Sequence, residues 1–226
     1  MSFTKRIGAA LAPKVTGLAP GLTSSFVHQA LDKAVAGLGP LPSAASAADT
    51  QLAEQDGDVS RGIHELIENH VRYAGLQGFA TNIGGLVTMA VTVPANLTGL
   101  AVIQCRMVAG IAHLRGYDLD DQRTRDAILA CLLGEERILR MVKDRTLPGT
   151  PLEIASAAVH DPRLDELLGV EVAAELVTRA TGKRLAATVG RRVPVVGGVV
   201  GAGTDAYVTW KVGRYVDREF LPRKRR

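Results

Sequence analysis

Residues 73–105 read YAGLQGFATNIGGLVTMAVTVPANLTGLAVIQC, thirty-three residues without an Asp, Glu, Lys, Arg or His. Charged residues return immediately outside this stretch, at Arg72 and Arg106. A helix that is apolar on nearly every side is buried between other helices or in contact with lipid. The stretch therefore sets the architecture, because either the rest of the chain or a bilayer must cover it.

Pro94 divides this stretch into two predicted helices, residues 79–93 and 95–114, joined tightly or kinked. Proline lacks a backbone N–H and disfavours helical geometry in the residue before it. A membrane-spanning helix needs about twenty consecutive apolar residues. Polar residues interrupt both halves, namely Gln77, Thr81, Asn82, Thr88, Asn96, Thr98, Gln104 and Arg106. We therefore favour a buried hairpin over a segment that enters or leans on the bilayer, which is the alternative.

The composition favours an all-α fold. A chain of 226 residues can bury the core of one good-sized domain. Aromatic residues make up only 4% of it, so the core must consist of small and aliphatic side chains that let helices approach closely. No regular repeat and no clear strand pattern occurs. We predict a single helical bundle with a central apolar helical hairpin.

Clusters of Pro, Gly and Ser divide the chain into segments. We predict an N-terminal arm (1–23), a short helix followed by a flexible linker (24–58), a helical domain (59–220) and a basic tail (221–226). Ser24 or Ser25 would cap the first helix, and residues 40–58 would form the linker or a loosely ordered loop. Further helices are predicted at 60–75, after a cap at Asp118, at 135–143, after the caps at Thr150 and Asp161, and at 193–206.

Both cysteines, Cys105 and Cys131, lie among apolar residues at helical spacing. This pattern is typical of free buried thiols in a reducing compartment. The apolar run after Lys5 and Arg6 ends at Pro13, which is too early for a secretory signal. We therefore expect a cytoplasmic chain.

The positive charge is concentrated at the C-terminal end. From residue 181 onward, eleven Lys and Arg face three acids, a local charge of +8, whereas residues 1–180 carry sixteen against twenty, a local charge of −4. Such a cluster can bind anionic lipid or remain a solvated tail. The residues proposed to contact anionic lipid are Arg191, Arg192, Arg223, Lys224, Arg225 and Arg226. Nucleic acid is not expected as a partner, because few stacking aromatics accompany these charges.

No sequence motif predicts a catalytic or cofactor site. The nucleotide-binding glycine patterns and the GxSxG elbow are absent. His64 and Glu68 share a helix face and are weak candidates for metal ligands, but the HExxH signature is not present. They are better explained as part of a solvated helix face, and His113 as a hydrogen-bonded residue at a helix end. We expect no metal and no cofactor.

Three polar residues are candidates for burial: Asn96, Arg106 and Asp205. Asp205 follows a helix face of small residues, Gly198 and Ala202, which lets another helix approach closely. A buried carboxylate needs a cationic partner. We expect Arg106 or Arg191 in that role.

Several stretches of the sequence resemble the EcsC family. They are GLQGFATNIGGL, VTVPANLTGLAVIQCRMVAGIAHLRGYDLDD, AILACLLG and KRLAATVGRRVPVVGGVVGAGTDA, within residues 60–220. The resemblance implies a helical bacterial protein, cytoplasmic or membrane-associated, without an established activity. Many members carry an acidic residue where this chain has Pro94, Ala95 and Asn96.

These observations predict a non-enzymatic protein that acts at or near the cytoplasmic face of the bacterial membrane. Its partner would be the anionic membrane surface or a membrane protein. One alternative is a soluble enzyme or apolar-ligand binder with a pocket between the apolar helices. A helical module that binds a partner protein is another, and would show a large exposed apolar patch.

Overall fold

A computed structural model describes residues 23–37, 39, 41–83, 89–189 and 194–223, with only the backbone described at 78–83, 89–98, 180–189 and 194–202. Within these ranges the chain forms nine α-helices and no β-strand, which confirms the all-α fold. The helices are α1 (Ser24–Ala36), α2 (Ala44–Glu54), α3 (Val59–Ile83), α4 (Met89–Leu114), α5 (Gln122–Leu133), α6 (Glu135–Lys143), α7 (Pro151–Ser156), α8 (Pro162–Val189) and α9 (Pro194–Glu219).

Helix α2 occupies most of the segment that was predicted to be a linker. Ser43 caps it by accepting a hydrogen bond from the Ser46 N–H at 3.1 Å. Ala44 and Ala48 are fully buried in the core. The prediction of a loosely ordered segment was wrong over Ala44–Glu54, because alanine is both a strong helix former and small enough for close packing.

The central hairpin forms, but Pro94 does not divide it. Helix α3 extends to Ile83 and α4 begins at Met89, so Pro94 lies inside α4. The first four N–H groups of any helix have no intrahelical partner. Pro94 is the sixth residue of α4, so the helix loses only one backbone hydrogen bond there. The predicted helix 79–93 is therefore shared between α3 and α4, and residues 84–88 lie outside the described part.

The contact between α9 and α3 is the most extensive one between any two described helices. Gly213 allows this approach, because a Cβ there would lie 2.9 Å from Ile67 Cγ2 and 3.2 Å from Met107 Sδ. The small-residue helix predicted at 193–206 is thus part of a longer element that continues to Glu219.

Three contacts fix the directions of these helices. Gly99 on α4 faces Gln77 on α3, Gly213 on α9 faces Ile67 on α3, and Gln104 on α4 bonds Thr209 on α9. Helix α3 therefore runs antiparallel to both α4 and α9. The C-terminal end of α3 and the N-terminal ends of α4 and α9 lie at the same end of the bundle.

The helices from α5 onward begin and end largely at the predicted residues. Gly134 separates α5 from α6, and Thr150 with Glu153 forms a complete capping box. One cap differs: the Asp121 carboxylate, and not that of Asp118, accepts from the Arg123 N–H at the start of α5. The cap of α1 also differs, since Thr23 replaces the predicted Ser24 or Ser25.

Both cysteines are free and buried, as predicted. Burial raises the pKa of Cys105 to about 12. Among the described residues, no helix is long and apolar enough to cross a membrane.

Candidate functional site

The C-terminal end of α3 and the N-terminal ends of α4 and α9 lie at one end of the bundle. Helix α8 ends only four residues before α9 in the sequence, and its Arg179 donates to Gln104 Oε1 on α4 at 3.4 Å, so we group its last turns with this end. We call the helical residues 78–83, 89–98, 180–189 and 194–202 the bundle end. At a rise of 1.5 Å per residue, the ten residues from Met89 to Thr98 extend about 15 Å beyond Gly99.

The sequence of the bundle end is unusual in its charge. From residue 78 to 98 there is no charged side chain, and from 180 to 202 there are only basic ones. Lys183 and Arg184 belong to α8, whereas Arg191 and Arg192 lie outside the described residues. The described residues of the bundle end therefore include no acid, and their two charged residues are basic.

Exposed apolar side chains lie on two neighbouring helices, α3 and α9, where this end begins. Tyr73 and Leu76 on α3 are 55% and 67% exposed, and Tyr207 and Trp210 on α9 are 59% and 43% exposed. The rings of Tyr207 and Trp210 stack with their centroids 6.2 Å apart. Ile67 on α3 faces Gly213 on α9, and the two helices run antiparallel. Tyr73 is six residues after Ile67 and Tyr207 is six residues before Gly213, so both lie at the same height along the bundle axis. We call these four residues the aromatic girdle.

A polar network lies inside the bundle at the level of the girdle, and its residues Gln104 and Thr209 are buried. Gln104 Nε2 donates to Thr209 Oγ1 at 3.2 Å. Arg179 donates to the Leu132 carbonyl at 3.0 Å and pairs with Glu175 at 3.0 Å. The network joins α4, α5, α8 and α9. Sequence reasoning treated Gln104 only as an interruption of an apolar run.

Arg106 lies half-buried beside the girdle. The imidazole of His70 and the ring of Tyr73 are its electrostatic neighbours, and burial lowers the pKa of the Arg106 guanidinium. No described acid lies within ion-pair distance of Arg106, and in particular it forms no ion pair with Asp205.

His70 is fully buried, although it belongs to the segment that was predicted to be a solvated face. Its Nδ1 lies 2.8 Å from the Leu66 carbonyl oxygen, one turn earlier in α3. The ring of Tyr73 meets it edge-on at 5.9 Å between centroids. Burial lowers the pKa of His70 to about 4, so the imidazole is neutral at pH 7.

The other predicted site residues do not converge on one place. His64 is exposed and Glu68 half-buried on α3, and the described residues contain no group of three side chains that could hold a metal. Asp205 is buried, as predicted, at 1% exposure. His113 bonds Asp49 Oδ1 through Nε2 at 2.8 Å, which confirms its predicted helix-end role.

Arg223 is held by the protein itself. Its guanidinium lies 4.1 Å from the centroid of the Tyr117 ring and donates to Ser156 Oγ at 2.5 Å and the Ala155 carbonyl at 3.2 Å. Its contact with lipid remains a prediction. The remaining candidates lie outside the described residues or side chains: Asn96, Arg191, Arg192, Lys224, Arg225 and Arg226.

Comparison with protein-family models shows to which family this chain belongs. The model of the EcsC protein family matches residues 1–226, the whole length of the sequence. The chain belongs to the EcsC protein family. No curated protein and no solved structure matches it.

The EcsC chain also contains a pair, one buried carboxylate and one half-buried imidazole, that sequence reasoning missed. Asp126 on α5 contacts His160, which lies in the turn before α8, with 3.0 Å between Oδ2 and Nε2. Neither residue belongs to a motif. The only signal in the sequence is that Asp126 directly precedes the apolar run AILACLL, where a charged side chain is at risk of burial.

Proposed function

We propose that this EcsC-family protein is non-enzymatic and attaches to the anionic surface of the bacterial membrane, at its cytoplasmic face, through the bundle end. The observation that carries the proposal is the aromatic girdle at the base of an acid-free, partly basic set of helix ends. Tyr and Trp are enriched at membrane–water interfaces, where an apolar ring and a polar group can both be accommodated.

The dimensions of the bundle end suit partial insertion. It extends about 15 Å beyond the girdle region, which is about half the thickness of the hydrocarbon core. With the girdle at the headgroups, the apolar helix ends would lie in one leaflet. The polar network of Gln104, Thr209 and Arg179 would then lie inside the bundle at the level of the headgroups.

The basic residues of the sequence segment 180–202, which include Arg191 and Arg192 outside the described residues, contribute a second term. A basic residue near an anionic membrane surface contributes about 1 kcal/mol, so the four residues Lys183, Arg184, Arg191 and Arg192 would together contribute about 4 kcal/mol. That corresponds to roughly a thousandfold in partitioning at low salt. Salt weakens the attraction of the exposed charges. Arg106, which lacks a described acidic partner, would bind a headgroup phosphate at the level of the girdle.

Trp210 allows a direct test, because it is the only tryptophan of the chain and lies in the girdle. Protein is titrated with vesicles of phosphatidylcholine, with or without phosphatidylglycerol, at low ionic strength. We expect a blue shift of Trp210 emission and reduced quenching by iodide with the anionic vesicles. Co-flotation with the vesicles measures the partition coefficient independently of fluorescence.

Two matched variants test whether vesicle binding depends on these four basic residues or only on the net charge of the protein. The first replaces Lys183, Arg184, Arg191 and Arg192 by Gln and should lower partitioning by roughly a thousandfold. The control replaces four exposed basic residues outside the bundle end by Gln, namely Lys33, Arg61, Lys143 and Arg145. Equal loss in both variants, or a wild-type protein that never floats with anionic vesicles, would refute the proposal.

A further inference from the structure

A polar cavity lies away from the aromatic girdle. It has a volume of about 290 Å³ and lies between α5, α7, the turn at 157–161 and the start of α8. Cavities that bind small molecules are typically about 300–1,000 Å³. Apolar side chains, among them Ile154 and Leu164, line it together with several charged groups.

Asp126 is the buried polar group of this cavity, with 1% exposure. Its Oδ2 lies 3.0 Å from His160 Nε2, whereas Oδ1 is buried without a hydrogen bond from any described protein group. Burial raises the pKa of Asp126 to about 6, with His160, Asp165 and His28 as further electrostatic neighbours. The carboxylate is therefore mainly ionised at pH 7. A buried acceptor without a donor is destabilising by about 1–3 kcal/mol, and more when it is charged.

The other charged groups of the cavity already have partners. Asp161 pairs with Arg163 at 2.8 Å, and Glu153 accepts from the Thr150 N–H at 2.7 Å. Arg123 is the only permanently charged cation of the lining, and Asp121 pairs with it at 2.5 Å. With Asp161 paired to Arg163 and Arg123 paired to Asp121, the carboxylates of Asp126 and Glu153 remain without a permanent cationic partner. The surplus charge is negative.

We propose that this cavity is a binding site for a small organic cation that carries a primary ammonium group. The ammonium N–H would donate to Asp126 Oδ1, and His160 would keep its hydrogen bond to Oδ2. The alkyl part of the ligand would pack against Ile154 and Leu164. Anionic ligands would be repelled by the surplus of carboxylates. The site is separate from the bundle end and does not depend on membrane attachment.

The size of the cavity limits the ligand to an alkylamine or an amine of amino-acid dimensions. The metal alternative is weaker, because the described residues contain no group of three His, Cys, Asp or Glu side chains suited to an ion. A neutral alcohol could also donate to Oδ1, but without the charge that strengthens the hydrogen bond to a carboxylate.

The test uses the full chain and three probes of equal size: n-butylammonium chloride, n-butanol and sodium butyrate. Binding is followed by calorimetry and by the NMR shifts of the His160 ring and the Val159 methyl groups. We expect butylammonium to bind, butanol to bind about tenfold more weakly or worse, and butyrate not to bind. Shifts should be largest at His160 and Val159.

The variant Asp126→Asn keeps the shape of the side chain but removes its charge, and should weaken butylammonium binding about tenfold or more. Asp161→Asn is the matched control, because that carboxylate is already paired with Arg163 and should matter less. Equal affinity of the wild type and Asp126→Asn for butylammonium would overturn the proposal. If Asp126→Asn does not fold, wild-type shifts centred away from His160, or tighter binding of butyrate, would overturn it equally.

Discussion

Acidification should destabilise this protein through His70. The imidazole is 5% exposed, and burial lowers its pKa from 6.5 to about 4. Its Nδ1 is occupied by the Leu66 carbonyl oxygen, whereas Nε2 is buried without a described partner. Protonation would place a second donor and a positive charge in an apolar environment next to Arg106.

The sign of the effect follows from the two pKa values. As the pH falls below 6.5, the unfolded chain takes up a proton at this residue, whereas the folded chain does so only near pH 4. The free energy of unfolding therefore falls with pH over this window and levels off below pH 4. Between pH 7 and pH 5 the loss from His70 alone is about 2 kcal/mol.

The titration of Asp126 changes the free energy of unfolding in the opposite direction over the same pH range. Its folded-state pKa is raised from 3.8 to about 6, so the folded chain binds its proton first as the pH falls. This stabilises the folded state by about 1 kcal/mol between pH 7 and pH 5. The two contributions partly cancel in the wild type, so the comparison must be made against a variant that lacks only the His70 titration.

The variant His70→Asn retains a donor for the Leu66 carbonyl oxygen and does not titrate. Urea unfolding at pH 7 and pH 5 should show that the wild type loses about 2 kcal/mol more than this variant. His64→Asn is the control, because it makes the same replacement at an exposed position of the same helix. Identical pH dependence in the wild type and His70→Asn would refute the reasoning.

Three further outcomes can be measured by standard methods. Gly213→Val should reduce the free energy of unfolding by about 1–3 kcal/mol in a urea titration, because a side chain there separates α9 from α3. Gly203→Ala is the control and should be neutral or stabilising, because a Cβ at that position meets no described atom within 4 Å. Thr150→Ala should lose about 1 kcal/mol through the capping box, and an unchanged midpoint would contradict the cap. Cys105 and Cys131 are buried, so a thiol reagent should modify them only as fast as the protein unfolds, and rapid labelling of the native state would contradict this.

Local signals placed several helix ends correctly, although the caps of α1 and α5 differ by one to three residues from the predicted ones. Gly134 separates α5 from α6, and the Thr150 capping box starts α7, both as predicted. The predictions failed where packing overrode the local signal. The segment Ala44–Glu54 has the composition of a linker but forms a helix, since two of its alanines are buried, and α4 continues through Pro94.

Part of the candidate site could also be predicted. The charge-free stretch and the basic C-terminal excess are visible in the sequence, and together they suggested contact with lipid. The aromatic girdle was not predictable, because among the four aromatics near the C-terminus only Tyr207 and Trp210 are exposed, whereas Tyr215 and Phe220 are buried. Helical spacing alone does not tell which face another helix will cover.

The sequence by itself determined the all-α class, the EcsC relationship, most helix boundaries and the distribution of charge, because each depends on composition or on residues a few positions apart. Only the tertiary structure decided which polar groups meet. Gln104 donates a hydrogen bond to Thr209, which is 105 positions later in the sequence, and Asp126 contacts His160, which is 34 positions later. Such pairs arise from the packing of whole helices, and the same packing determines how strongly His70 and Asp126 are desolvated.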